Sequence, residues 1–278
     1  MNPACIAAVV IALAAQPVLA QAGAPQANPP QAAPFSATSH QAPAEGVAAP
    51  PQAAAAPAGQ DWMARADELY KTRDQSASQR GINKIIKEQL SKDPDGFEAN
   101  WRLAQLLAFQ ANGMPDGSDV KAAVGKAAWE AGDKAVAAKG DDVRGQYWAA
   151  VGIGLYSEGV GILTALTQGL EGKFRSRTQA AMRLDKNYLD GGPVVLWGRF
   201  FDKLPWPKKD VDESVTILRG AVKDHPNNLR AKLFLADSLA DQGHKDEANK
   251  LLQEIIAAPL RDPPDDSRNK NWAKSRSY

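Results

Sequence analysis

From Leu184 to Pro259 the sequence reads as two consecutive helical hairpins, each closed by a proline at nearly the same place. Lys223-Asp224-His225-Pro226 ends one hairpin and Ala257-Ala258-Pro259 ends the next, so the two prolines fall about one helix-turn-helix repeat apart. Such a unit cannot bury its apolar face alone and must stack on its neighbours. A stack presents walls and grooves and usually does no chemistry of its own, which biases the functional reading toward binding.

Apolar residues keep a helical period from Asp61 onward, with no convincing alternating run for a strand, so the expected class is all-α. Val211, Val215, Leu218 and Val222 form one stripe behind Asp210, whose side chain is placed to cap the helix while Glu213 completes a capping box. Leu229, Leu233, Ala236 and Ala240 form the next stripe, Gly243 opens a turn, and Ala248, Leu251, Leu252, Ile255 and Ile256 form the returning face. The order Leu235-Ala236, Leu239, Gly243, Ala248, Leu252 and Pro259 resembles the tetratricopeptide repeat, in which small residues let two antiparallel helices approach while leucines fill the flanks. An earlier copy pairs Trp62, Ala66, Leu69 and Tyr70 with Ile82, Ile86 and Leu90. Phe97, Trp101, Ala104 and Ala108 begin a second copy, whose partner runs from about Val120 to Lys139. Two further pairs span Val143 to Leu184 and Gly192 to Asp224, giving about five hairpins in a tetratricopeptide-like solenoid over 61–260.

The first sixty residues are built differently. Ala4 to Ala15 is an apolar run too short for a membrane span of about 20 residues, and Val18-Leu19-Ala20 supplies small residues before a cleavage point, so 1–20 reads as a signal peptide and the protein as periplasmic. The alternative is a short uncleaved anchor. Residues 21–60 are dominated by Ala, Pro and Gln with Glu45 as the single charge, a composition expected to stay a disordered linker. Cys5 is the only cysteine and lies at the start of the apolar run, ahead of the cleavage point, so no lipid-attachment cysteine follows the signal and disulfide or thiol chemistry is not expected in the mature chain. Residues 261–278 are expected to form a disordered polar tail. Net charge is +1, with 33 basic and 32 acidic residues intermixed, so no field for nucleic acid arises.

Two segments look specialised. Tyr147, Trp148, Gly152 and Tyr156 lie on a helix rich in glycine, each interior glycine costing about 1 kcal/mol relative to alanine. Gly152 and Gly159 share one face, and either tight helix packing, the favoured reading, or close approach of a ligand accounts for them. Gly191-Gly192-Pro193 turns the chain into a helix carrying Trp197, which Leu204-Pro205-Trp206-Pro207 ends. The prolines hold the Trp206 indole in an extended loop, as a plug over a hairpin end or as a contact residue.

Taken in order, Tyr147-Trp148, Leu184-Asp185 to Tyr188, Gly191-Gly192-Pro193, Trp197-Gly198, Leu204-Pro205-Trp206-Pro207 and Ala221 to Asn227 resemble the TatT family, the periplasmic T components of tetratricopeptide-associated TRAP transporters. The resemblance covers roughly Ala64 to Pro259. It implies an all-helical repeat fold, association with a TRAP solute-binding protein, a cavity suited to a small apolar ligand, and a homo-trimer. A general cell-envelope scaffold gripping a protein segment is the alternative. The candidate ligand or partner surface is Tyr147, Trp148, Gly152, Tyr156, Gly191, Gly192, Pro193, Trp197, Pro205 and Trp206.

Catalytic chemistry has no foothold. His40, His225 and His244 lack plausible partners, Ser157-Glu158 and Ser214 lack a nucleophile setting, and Asp262, Asp265 and Asp266 are wrongly spaced for an EF-hand. No enzyme activity, cofactor or metal is expected.

Overall fold

Turn residues cut residues 61–278, the part of the chain the computed structural model describes, into twelve helices with no strand among them. The expectations for the signal peptide and linker lie outside the described residues. The first pair is α1 (Asp61–Tyr70) and α2 (Ser76–Lys92), with Trp62, Leu69 and Tyr70 packed against Ile82 and Ile86. The second is α3 (Phe97–Ala111) and α4 (Asp119–Ala138), joined by the longer turn before Ser118, whose hydroxyl accepts from Lys121 N and caps α4. The third is α5 (Val143–Val160) and α7 (Leu170–Asp185), separated by a six-residue helix, α6 (Ile162–Thr167), that the hydrophobic period did not announce.

α8 (Tyr188–Lys203) and α9 (Val211–Asp224) form the fourth pair, and α10 (Leu229–Asp241) and α11 (Lys245–Ala257) the fifth. α8 begins with a left-handed run at Leu189, Asp190 and Gly191, at φ 51°, 53° and 80°. Regular helix follows from Gly192, with Pro193 in its first turn as its fixed φ allows. Asp210 caps α9 as expected, accepting from Glu213 N at 2.9 Å. The reciprocal half of the box is absent, because Asp210 N donates instead to Phe201 O at 3.1 Å. In the fifth pair Ala236, Leu239, Ala248 and Leu252 are buried in one core with Leu218, Leu233 and Ile255, the small-against-large interlock that their spacing predicts.

The expected disordered tail is instead a helix, α12 (Pro263–Lys274). Its start has a local cause. Pro263 and Pro264 occupy the first helical positions, where a missing N–H costs nothing, and Asp266 accepts from Arg261 N and Asp262 N at 2.6 and 2.8 Å. Ala273 and Trp272 pack into the fifth-pair core, and Asp237 holds the chain end through Arg276 and the Tyr278 hydroxyl. The other face of α12 returns to the first repeats. Arg73 donates to Asp262 and, at 2.7 Å, to Asp265, while Arg268 donates to Phe109 O at 3.0 Å with its guanidinium 3.9 Å from the Phe109 ring centre. The α12 segment therefore bridges the last repeat to the turn after α1 and to α3 through side-chain contacts.

Candidate functional site

The hairpins and α12 together line a partly open cavity of about 780 Å³, whose lining runs from Tyr70 in the first pair to Asn269 in α12. That volume lies within the range of ordinary ligand pockets. Its composition follows from how α5 is used. The small face of α5 lies on α4: a Cβ on Gly152 would stand 2.3 Å from Trp129 N, one on Gly159 2.3 Å from Ala122 N, and one on Gly132 2.6 Å from Ala149 Cα. Only glycine permits backbones that close. The large residues of α5, Trp148, Val151 and Leu155, face the cavity, where Leu170 and Phe174 of α7 and Val195, Leu196 and Phe200 of α8 meet them. Phe174 and Phe200 stack with ring centres 5.1 Å apart.

A polar arc lies beside this apolar wall. Arg230, Asp262, Asp265 and Asn269 come from α10 and the α12 segment, Asn112 and Glu158 from the ends of α3 and α5, and Asp116 from the turn between α3 and α4. Burial acts to raise the Asp265 carboxyl, but Arg230, Arg73 and Arg268 outweigh it and hold the group below the usual carboxylate range. Burial pushes the Tyr188 phenol up to about 12, against the Trp148 indole that donates to it at 3.2 Å. Tyr70 and Tyr147 are raised by burial in the same way. Burial thus favours the neutral form of three phenols on or behind the wall.

The residues singled out from sequence divide into separate places. Tyr147, Trp148 and Gly192 line the cavity, and Gly192 is tight against Tyr147, whose hydroxyl a Cβ would approach to 2.9 Å. Gly152 belongs to the α4–α5 contact. Tyr156 lies 6.1 Å from Trp129, ring centre to ring centre, and donates to Gln168 at 3.0 Å. Gly191 occupies the left-handed turn against His225, and Pro193 is buried beside it. Trp197 stacks on Phe200 at 5.5 Å with the Arg175 guanidinium 5.4 Å from its ring centre. Pro205 and Trp206 stand outside the cavity lining, and Trp206 is 89% exposed. Sequence reasoning missed Phe174, Phe200, Arg230 and the α12 carboxylates. The signal for α12 was present in Asp262-Pro263-Pro264-Asp265-Asp266, where two prolines precede first-turn acids at a helix start.

Comparison with known proteins bears on the fold and the family. No curated protein sequence matches the chain. Among solved structures, TTC0263, a thermophilic tetratricopeptide protein of Thermus thermophilus, is similar over 78% of this chain and 98% of its own, at 17% identity and a TM-score of 0.56. The MamA protein is similar over 76% of this chain and 96% of its own, at 16% identity and a TM-score of 0.43. A tetratricopeptide-repeat family model matches residues 208–265, which hold α9 and the fifth hairpin. A second family model, described as regulator of microtubule dynamics protein 1-3, matches residues 62–206. That match spans more than half of the chain, and the chain belongs to the regulator of microtubule dynamics protein 1-3 family, with a tetratricopeptide-repeat region at its C-terminal end.

Proposed function

We propose that this protein is a non-catalytic tetratricopeptide-type binding protein that holds a long apolar ligand in the cavity lined by its hairpins and α12. The carrying observation is the 780 Å³ cavity walled by Trp148, Leu155, Phe174, Phe200 and their neighbours. Micromolar affinity corresponds to about −8 kcal/mol, which at about 0.8 kcal/mol per buried methylene takes a run of roughly ten carbons before ordering costs. An acyl-like chain suits that requirement and a small polar metabolite does not. The polar arc around Arg230 and Asp265 would receive the ligand's polar end. The family's description refers to microtubule dynamics; the near-neutral, intermixed charge of this chain favours the cavity over an outer charged surface as its functional element.

The test fills the cavity without touching the helix packing. A Cβ on Gly154 meets only Phe174 Cε2, at 3.6 Å, so a leucine there projects into the open space. The full chain is expected to bind a fluorescent naphthylamine probe that dodecanoate displaces, and Gly154→Leu to lose at least about tenfold in affinity with its melting temperature kept. No uptake by the unaltered chain, or equal uptake by Gly154→Leu, overturns the reading.

A TatT-like role extends the proposal: the protein would be exported by residues 1–20, act in the periplasm and share its ligand with a TRAP solute-binding protein. The ordered Gly191-Gly192-Pro193 and Leu204-Pro205-Trp206-Pro207 elements and the apolar cavity support it. Crosslinking in cells tests it, with recovery of a TRAP receptor expected. Recovery only of envelope-assembly proteins supports the scaffold reading instead. Native mass spectrometry of the secreted form checks both a start at Gln21 and a trimer.

A further inference from the structure

The stretch Gly159 to Leu170 holds twelve consecutive residues without a charge, in a chain that is 23% charged. α6 occupies its middle. The helix is bounded by Gly161 at φ 85° and Gly169 at φ 70°, and a Cβ at either glycine would meet nothing within 4 Å. One side of α6 closes the cavity through Ala165 and Leu166, while Leu163 on the outer side is 69% exposed. Lys208, two residues beyond Trp206, reaches Glu171 at the start of α7 at 2.6 Å, which ties the Trp206 loop to the segment just after α6. Leu204, buried below that loop, lines the same cavity as Ile162 and Leu166. The two most exposed large apolar side chains among the described residues thus belong to segments flanking one part of one cavity.

Resting on the apolar-ligand reading above, we infer that α6 and the Trp206 loop form a docking face for a lipid bilayer, through which the cavity exchanges its ligand with the membrane. Three observations favour a bilayer over a protein partner. The exposed apolar groups are continuous with the cavity wall through Ile162, Leu166 and Leu204, so a chain leaving a bilayer would pass from one apolar medium into another. Trp206 has the exposure and the indole chemistry of an interfacial anchor, and its flanking prolines limit the freedom it loses on insertion. Lys203, exposed beside that loop and in no ion pair among the described residues, supplies the sign that anionic headgroups attract, while Lys208 and Lys209 are paired with Glu171 and with Asp202 and Asp241. No helix among the described residues is long and apolar enough to cross a membrane, so this engagement is with the surface.

Flotation of the full chain with vesicles of phosphatidylcholine, alone and mixed with phosphatidylglycerol, tests the inference. The unaltered chain is expected to float, more strongly on the mixed vesicles. Trp206→Ser combined with Leu163→Ser is expected to cut binding at least about tenfold, since each buried apolar side chain is worth more than one decade in affinity. Val120→Ser, a change at an exposed apolar residue of α4, leaves flotation unchanged. A chain that floats with neither vesicle overturns the inference and returns the face to a protein partner, and equal flotation by the double variant overturns it as well. The two readings fail separately. Flotation that depends on Trp206 and Leu163 in a chain that takes up no dodecanoate sinks the cavity reading and leaves the docking face standing.

Discussion

The α4–α5 contact gives the sharpest prediction, the response to Gly152→Ala. Ordinary Cβ contacts lie at 3.4 Å or more, and the new methyl would stand 2.3 Å from Trp129 N and 2.6 Å from Trp129 Cα. The obstacle is backbone, so no side chain can swing aside, and the helices must part locally by about 1 Å. Gly159 against Ala122 and Gly125 against the Tyr156 backbone, at 2.3 and 2.5 Å, are equally close, so the displacement strains its neighbours too. Overpacking of this kind costs about 1–3 kcal/mol, and with backbone as the obstacle the upper end applies; alanine's better helix propensity returns about 1 kcal/mol. The net loss is about 2 kcal/mol, which for a domain of this size lowers Tm by about 4–8 °C. Calorimetry against Gly220→Ala is the assay, because Gly220 sits in exposed helix with nothing within 4 Å of its would-be Cβ and should gain up to about 1 kcal/mol from propensity alone. A Gly152→Ala protein melting at or above the unaltered chain would refute the claim that glycine sets this interface.

Three further outcomes follow from the buried polar groups. Ser214 and Ser238 pair hydroxyl to hydroxyl at 2.9 Å in the C-terminal core, so Ser214→Ala should cost about 1–3 kcal/mol by stranding Ser238, and adding Ser238→Ala should restore much of it in chemical denaturation. Arg73→Ala should cost about 1–3 kcal/mol and speed amide exchange in α12, because the guanidinium is 3% exposed while its partners Asp262 and Asp265 are 51% and 32% exposed and keep part of their hydration. Asp265 and Asp237 are both held below the ordinary carboxylate range, so their stabilisation is complete above the unfolded pKa near 4 and is lost as pH falls through their folded values. A scan of Tm against pH should therefore fall on the acid side of about pH 4, and Asp265→Asn should flatten that limb.

What could be read ahead of the structure was local. The fifth hairpin was legible because Ala236, Leu239, Ala248 and Leu252 carry both period and size, and both lie within one short span. The glycines of α5 were visible as costly residues, yet their partners sit on α4, and nothing in a single chain says which helix a small face will meet. α6 was hidden because six residues bounded by two glycines are too few to express a period. The tail was misread for a physical reason: α12 is held mainly by charge and caps instead of an apolar stripe, so composition alone resembles a solvated segment while Arg73, nearly two hundred residues earlier, supplies its counter-charge.

That misreading bears on the cavity itself. An open stack of hairpins has a groove along its inner face, and an apolar groove in water would expose Trp148, Leu155 and Phe174 together. Large exposed patches of that kind are rare in soluble proteins unless something covers them. Here α12 supplies one part of the cover, with Asp265 and Asn269 among the lining, and α6 another, with Ala165 and Leu166. The two covers differ in bonding. α12 is fixed by ion pairs at its N-terminal end and by the Ala273 and Trp272 contacts beyond, whereas α6 is joined to its neighbours through two left-handed glycines. Opening at α12 must separate buried charge from its partners, whereas opening at α6 breaks apolar contacts that an incoming chain or a bilayer can replace, together with the Tyr156–Gln168 hydrogen bond. Of the two covers, α6 is therefore the one displaced at lower cost.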